Sequence, residues 1–177
     1  KHGIKLYAEP ISSDAGTAIG AAYIAHHQIT NSEKVLPFAD SLYLGPSYAY
    51  DDKEIGHLAD TYGATLEKVE IEDVVKLMCK KNIVAMFQGR SEAGPRALGN
   101  RSLMYDPTDP NGKDHVNKVK RREYFRPFAG TILAEHAEEW FDMRGMKDSP
   151  HMMYAMNCQP GVEEKIPSII HVDGTCR

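Results

Sequence analysis

"QGRSEAGPRALGNRS", residues 88–102, follows directly on the apolar run "IVAMF" at 83–87, and how this pair is read decides the fold. A continuous apolar run bounded by polar residues predicts a buried strand. The stretch after it holds three arginines, three glycines and one proline, with Leu98 its only bulky apolar residue. That is too much glycine for a stable helix, so a loop is expected at the C-terminal end of a central strand, where open α/β sheets place ligands. Gly89, Gly94 and Gly99 would let backbone N–H groups converge on an anion, and Arg90, Arg96 and Arg101 offer planar, permanently charged forks that suit phosphate. The alternative is an arginine loop tied down by carboxylates such as Glu92. No G-x-x-x-x-G-K-S/T pattern is present, so this is not a Walker A loop.

Outward from the loop, helices and strands intermix without a repeat or a low-complexity segment, which gives an α/β or α+β class. Upstream, "IKLYAEP" alternates like a short strand ending at Pro10, and "SSDAGTAIGAAYIAHHQ" predicts a loop entering a small-residue helix suited to close packing on a sheet. "YDDKEIGHLADTYG" predicts a helix with Asp51 or Asp52 as N-cap and Gly63 as its stop, and "IEDVVKLMCKKN" a second amphipathic helix with lysines in its last turn. Downstream, "KDHVNKVKRREYF" predicts a basic helix whose end is set by Pro127, because the residue before a proline disfavours helical geometry. "FAGTILA", "HMMYAM" and "IIHVDGT" predict strands, and "AEEWF" a short helix.

The chain has 177 residues, 42% of them hydrophobic, enough for one good core or for one domain plus a piece of another. It begins with Lys rather than Met and shows no leader pattern, and its longest near-apolar run, residues 15–25, is too short to span a bilayer. A soluble, cytoplasmic piece of a longer protein is expected, with no membrane partner. Cys79, Cys158 and Cys176 are odd in number and widely spaced, suggesting neither a disulfide framework nor a zinc site. The net charge of -4 is unevenly spread: residues 90–126 hold nine Lys/Arg against five acids, leaving -8 for everything else. A basic island in an acidic chain suggests a localised anion site rather than a nucleic-acid surface.

Two further clusters are candidates. In "VNKVKRREYFRPF", Asn117, Lys120 and Arg121 share one helical face while Lys118 and Arg122 project elsewhere, and Arg126 is fixed before Pro127. A solvated basic helix is the competing reading. Asp14 in "SSDAGTAIGAA" stands where a helix entrance could hold a metal or a metal-bound phosphate, or serve only as an N-cap. The eight histidines show no metalloprotease spacing, and Met152, Met153 and Met156 read as packing residues.

The order of motifs carries more than any one of them. "SDAGTAIGAA", "LYLGPSY", "IVAMFQGRSEAGPRALGNRSLMYDP", "VNKVKRREYFRPFAGTIL", "SPHMMYAM" and "IPSIIHVDGTCR" together closely resemble the C-terminal part of the O-carbamoyltransferases typified by the NodU nodulation proteins and the cephamycin and tobramycin enzymes. The resemblance implies two modules. An actin-like, ATPase-type domain binds iron or another divalent metal and passes a carbamoyl group to a substrate hydroxyl; a YrdC-like domain makes the donor, carbamoyl adenylate, from carbamoyl phosphate and ATP, whose Mg2+ accompanies the nucleotide. Residues 1–29 would be the last strand and helix of the actin-like module, 30–41 a connector, and 42–177 the YrdC-like domain, without its final segment. Lys120 and Arg126 would then be catalytic, Arg90, Arg96, Arg101 and Arg177 would bind substrate and ATP phosphates, and Asp14 would be one metal ligand whose partners lie outside this chain. The family continues past the position of Arg177 into a helix and an "NTSFN" segment, so part of the pocket is expected elsewhere and the piece alone is not expected to turn over. It also commonly has proline where this chain has Gly130. The other readings are an RNA-binding YrdC-like module, disfavoured by the acidic remainder and by the lack of aromatics interleaved through residues 90–120, where Tyr105 stands alone, and a docking fragment blind to ligands.

Overall fold

The computed structural model describes residues 8–32, 34 and 41–177, so most of the strand expected in "IKLYAEP" and most of the connector lie outside the described residues. Helix α1 spans Asp14–Thr30, α2 Asp52–Tyr62 and α3 Ile71–Cys79. Strand β1, Val84–Phe87, pairs antiparallel with β2, Arg101–Met104, in the register Val84 to Met104 and Phe87 to Arg101. Helix α4 is Gly112–Val119 and α5 Ala137–Trp140; β3, Met156–Asn157, pairs antiparallel with β4, Thr175–Cys176. The class is mixed, with two small antiparallel sheets, as an α+β chain would show.

The helices end where local chemistry lets them. Asp51 accepts from the Glu54 backbone N–H while the Glu54 carboxylate accepts from the Asp51 N–H, a reciprocal cap of about 0.5–2 kcal/mol. Gly63, Lys81 and Arg121 then close α2, α3 and α4 in the same way, each with positive φ and each flanked by a six-to-one and a five-to-two hydrogen bond. For α4 these bonds run from Arg122 N to Asn117 O and from Arg121 N to Lys118 O, both 3.1 Å. Pro127 is therefore not what ends this helix: the chain has already left it at Arg121, six residues earlier.

The core sits in the C-terminal third. Ala137, Phe141, Met143, Met156, Val162, Ile166, Ile169 and Cys176 form it, with Phe128, Trp140 and Tyr154 packed against them. Short pieces of strand and turn build this core rather than long strands, and three expected strands are displaced accordingly. Residues 128–134 hold one backbone bond to a neighbouring segment, Gly130 N to Arg177 O at 3.0 Å, and Leu133 is exposed, so no ladder forms. Met152 takes φ +54, which breaks an extended run through "HMMYAM" and leaves only its end in β3. In "IIHVDGT" a 3-10 turn at Pro167–Ile169 and a turn at Gly174 come first, and the strand follows them. Nor is "IVAMF" a central strand: in β1 half-buried and exposed residues alternate, and Phe87 is exposed. Among the described residues β1 pairs with β2 alone, which leaves one of its edges unpaired there, and its following loop is the turn of a long hairpin.

Helix α1 buries none of its residues, so the close packing expected of its small faces is not made by the described residues. None of the described helices is long and apolar enough to cross a membrane.

Candidate functional site

The arginine loop is held from inside. Gly89, Gly94 and Gly99 all have positive φ, which glycine alone adopts without strain, and the reversals turn four consecutive N–H groups inward. Those of Leu98, Asn100 and Arg101 donate to one oxygen, Glu92 Oε1, at 2.7, 2.8 and 3.3 Å, and that of Gly99 donates to Ser102 Oγ at 2.8 Å. The backbone donors do converge on an anion, as the sequence suggests, but the anion is the chain's own carboxylate. Half-burial pushes the Glu92 carboxyl up, and the backbone hydrogen bonds outweigh it and hold the group below its usual range.

The three arginines divide by what they touch. Arg90 spans two carbonyls, Nε to Gly45 O and Nη2 to Leu44 O, both 2.9 Å, and so pins residues 42–46 alongside 91–93. Gly45 permits that approach, since a Cβ there would stand 2.0 Å from Ser91 Oγ. Arg101 donates from Nη1 to Gln88 O and Asn100 O at 2.6 and 2.9 Å and from Nη2 to Gly89 O at 3.2 Å, with its guanidinium 3.8 Å from the Phe87 ring. Arg96 differs: its Nε is buried and, among the described residues, has no partner. None of the three forms an ion pair there, so the alternative of arginines tied down by Glu92 also needs correction: carbonyls hold Arg90 and Arg101, and Glu92 holds the backbone.

The second cluster is organised by Asn117, 1% exposed on α4. Its Nδ2 donates to Tyr124 O at 3.1 Å and to Arg126 O at 3.0 Å, and its Oδ1 accepts from Arg122 Nε. Arg122 also reaches Pro127 O and lies 4.3 Å from the Phe128 ring, so it shapes the segment rather than projecting away from it. Arg126 pairs with Glu123 at 2.8 Å on the exposed surface. Lys120, the last residue before the reversal, has its ammonium pKa pushed down by partial burial and then by the charge of Arg122. The block 121–130 meets the chain's last residues through Gly130 N to Arg177 O and through His171, whose Nε2 faces Phe128 O at 3.3 Å. The segment that carries Lys120 and Arg126 thus touches the segment that ends in Arg177 through backbone groups, while the Lys120 and Arg126 side chains themselves are exposed. No hydrogen bond or ion pair among the described residues joins these segments to the arginine loop.

Asp14 is the exposed first residue of α1, and Ser13, not Asp14, takes the N-cap position. Among the described residues no three His, Cys, Asp or Glu side chains come together as a metal site, so Asp14 by itself does not make one. Two open grooves of about 630 and 550 Å3, one at His27, Gln28, Asn31 and Ser32 and one at Ser47–Tyr50, Glu54, His57 and Leu58, contain no arginine or lysine. Sequence reasoning missed Asn117 and Arg122 as organisers, and it named Glu92 as a tether but of the arginines rather than of the backbone; the one signal available was a carboxylate and an amide set inside cationic segments that need internal acceptors and donors.

Comparison with known proteins places these motifs. A family model described as Carbamoyltransferase C-terminus matches residues 75–177. An uncharacterized protein of Methanocaldococcus jannaschii is 37% identical over 98% of this chain, nodulation protein U of Sinorhizobium fredii 34% over 97%, and nodulation protein NolO of Bradyrhizobium diazoefficiens 33% over 97%. The chain spans 29% of the length of each of the first two and 32% of the third.

Proposed function

Since the chain belongs to the family of carbamoyltransferase C-terminal domains, we propose that it is the donor-activating part of an O-carbamoyltransferase. In this reading it is a YrdC-like domain that binds carbamoyl phosphate and ATP and forms carbamoyl adenylate, whose carbamoyl group passes to a substrate hydroxyl in a companion actin-like domain. In the balanced reaction, the phosphoryl group of carbamoyl phosphate goes to water, a carbamate oxygen bonds to the α-phosphorus of ATP, and pyrophosphate leaves. Charge accumulates on phosphate oxygens throughout, so positioned cations are the main contribution a protein can make.

What supports the reading is the junction of 121–130 with 171–177, where Gly130 N bonds Arg177 O and His171 faces Phe128 O, so that the segments carrying Arg126 and Arg177 meet. Lys120, with its lowered pKa, and Arg126, exposed and paired through Nε with Glu123, take the substrate oxygens. Arg177 and Arg96 balance phosphate charge, while Arg90 and Arg101 keep the loop in shape. Iron or another divalent metal would be held by the companion domain, with Asp14 as one ligand and the others outside this chain, and no step here runs through it. Calorimetric titration of the chain with carbamoyl phosphate and, separately, with ATP tests the reading. Binding abolished by Lys120→Ala and Arg126→Ala in folded variants supports it, and a folded wild-type chain that takes up neither ligand refutes it for this piece.

One observation favours a second reading, a fragment that mainly docks on a companion module. The accessible surface is 13440 Å2, whereas a compact 19.8 kDa monomer exposes about 8,600 Å2. A folded chain that binds its companion while remaining blind to both ligands would decide for docking.

A further inference from the structure

We propose that Glu92 is the positioning residue of the arginine loop: its carboxylate fills the nest made by the reversals at Gly89, Gly94 and Gly99, and thereby sets Arg96, whose Nε has no partner among the described residues, to meet an external anion. The inference rests on the reading of this chain as an anion-binding domain and refines which atoms do the binding.

Glu92 Oε1 accepts from Leu98, Asn100 and Arg101, and Ser102 Oγ accepts from Gly99, so the N–H groups of residues 98–101 are all consumed within the loop. A phosphate entering the same nest would have to expel a carboxylate held by three donors and would be repelled by it meanwhile. The guanidinium hydrogen bonds described for Arg90 and Arg101 all end on backbone carbonyls: Leu44 and Gly45 for Arg90, and Gln88, Gly89 and Asn100 for Arg101. Their charge remains, but the donors that would grip a ligand are engaged in holding the hairpin. Arg96 lies between Glu92 and the first N–H it gathers, and its Nε is buried without an acceptor among the described residues. A buried donor left unpaired is costly, and an anion at that place would satisfy it. Glu92 therefore acts through Arg96: by closing residues 92–101 into a ring of hydrogen bonds it fixes where that guanidinium stands.

The test uses the 177-residue chain and two readouts. Amide exchange at Leu98, Asn100 and Arg101 is followed in wild type, Glu92→Gln and Glu92→Ala; affinity is measured for inorganic phosphate, carbamoyl phosphate and ATP in the same proteins and in Arg96→Ala. Exchange at the three amides should rise about tenfold in Glu92→Ala, the equivalent of losing one charge-assisted bond, with partial rescue in Glu92→Gln, which keeps an acceptor oxygen. Anion affinity should fall about tenfold in Glu92→Ala, and adding Arg96→Ala should cause no further loss, because both changes remove one interaction. Unchanged amide exchange overturns the proposal. So does tighter anion binding in Glu92→Ala with no effect of Arg96→Ala, which would put the ligand in the emptied nest. A wild-type chain that binds none of the anions overturns the ligand half and the reading above together, whereas the amide exchange judges the hold of Glu92 separately.

Discussion

Replacing Asn117 by alanine should loosen the basic segment more than any change to a basic residue in it. The substitution deletes three hydrogen bonds, from Nδ2 to the Tyr124 and Arg126 carbonyls and from Arg122 Nε to Oδ1, and leaves the backbone bond from Arg122 N intact. Two neutral bonds at about 1 kcal/mol each and one charge-assisted bond at about 1.5–3 kcal/mol set an upper bound near 5 kcal/mol. Tyr124 and Arg126 are exposed and their carbonyls can regain water, so the expected loss is about 2–4 kcal/mol, a large share of the stability of about 5–15 kcal/mol that a domain possesses. In urea denaturation, with m of about 1–3 kcal/mol/M, the midpoint should fall by about 1 M or more at unchanged m. Arg122→Ala in the same background should show coupling of about 1–2 kcal/mol. Asn117→Asp discriminates further. It presents an acceptor to two carbonyls where a donor is required, so it should destabilise at neutral pH although its charge faces Arg122. A midpoint shift below about 0.3 M, or strict additivity with Arg122→Ala, would refute the view that Asn117 holds this segment.

Arg121 occupies φ +51 at the end of α4, so Arg121→Gly should raise stability by about 0.5–1 kcal/mol in thermal or urea denaturation. A Cβ on Gly130 would stand 2.8 Å from Ile169 Cδ1, the movable end of a side chain, and Gly130 N donates to Arg177 O; Gly130→Ala should therefore cost little and Gly130→Pro about 1 kcal/mol more, read from the order of the melting temperatures. Burial first, then the hydrogen bond from Tyr105 to Asp109 and the charges of Asp109 and Asp106, push the Tyr105 phenol up to about 12. Its contribution to stability is full below the unfolded value near 10 and is lost as pH rises through about 12, so tyrosinate absorbance should show one late-titrating group that Asp109→Asn brings forward. Glu92 has the opposite sign: its lowered pKa adds stability that is present above the unfolded value of 4.5 and is lost as pH falls through the folded one, so acid denaturation should begin at higher pH in wild type than in Glu92→Gln if that variant keeps the loop bonds.

What the sequence announces and what it hides divide along one physical line. Helix α2 is legible from Asp51 to Gly63 because both ends are fixed by local chemistry, a carboxylate beside N–H groups and a glycine at positive φ. The end of α4 is not, because the residue at positive φ is an arginine and what holds it there is a buried amide whose partners lie seven and nine residues away. The same holds for strands. "IVAMF" has the composition of a buried strand, and composition cannot say that its partner is β2 alone; "FAGTILA" has it too, yet meets a neighbouring segment by one backbone bond. Charge counting finds the basic island, but only coordinates separate Arg90 and Arg101, which donate to backbone carbonyls, from Arg96.

The amphipathic faces read most easily from sequence are also those left uncovered. Leu58 and Tyr62 on α2, Leu66 and Val69 after it, and Ile71, Val75 and Leu77 on α3 are all exposed, while the buried core is assembled from the irregular C-terminal third. A hydrophobic stripe is selected by a surface that covers it, and burying one such side chain is worth about 1.5–3 kcal/mol. Seven of them in adjoining elements form an apolar surface that the described residues leave open. The groups proposed to bind anions lie elsewhere, on the loop 88–102 and on the block 121–130 with Arg177, so on that proposal ligand binding and docking would draw on different residues of this chain. A charge reversal such as Lys76→Glu on α3 should then disturb docking and leave anion affinity unchanged, whereas Arg126→Ala should do the reverse. If the two activities instead fall together in either variant, covering the apolar face is itself what brings the basic side chains into register.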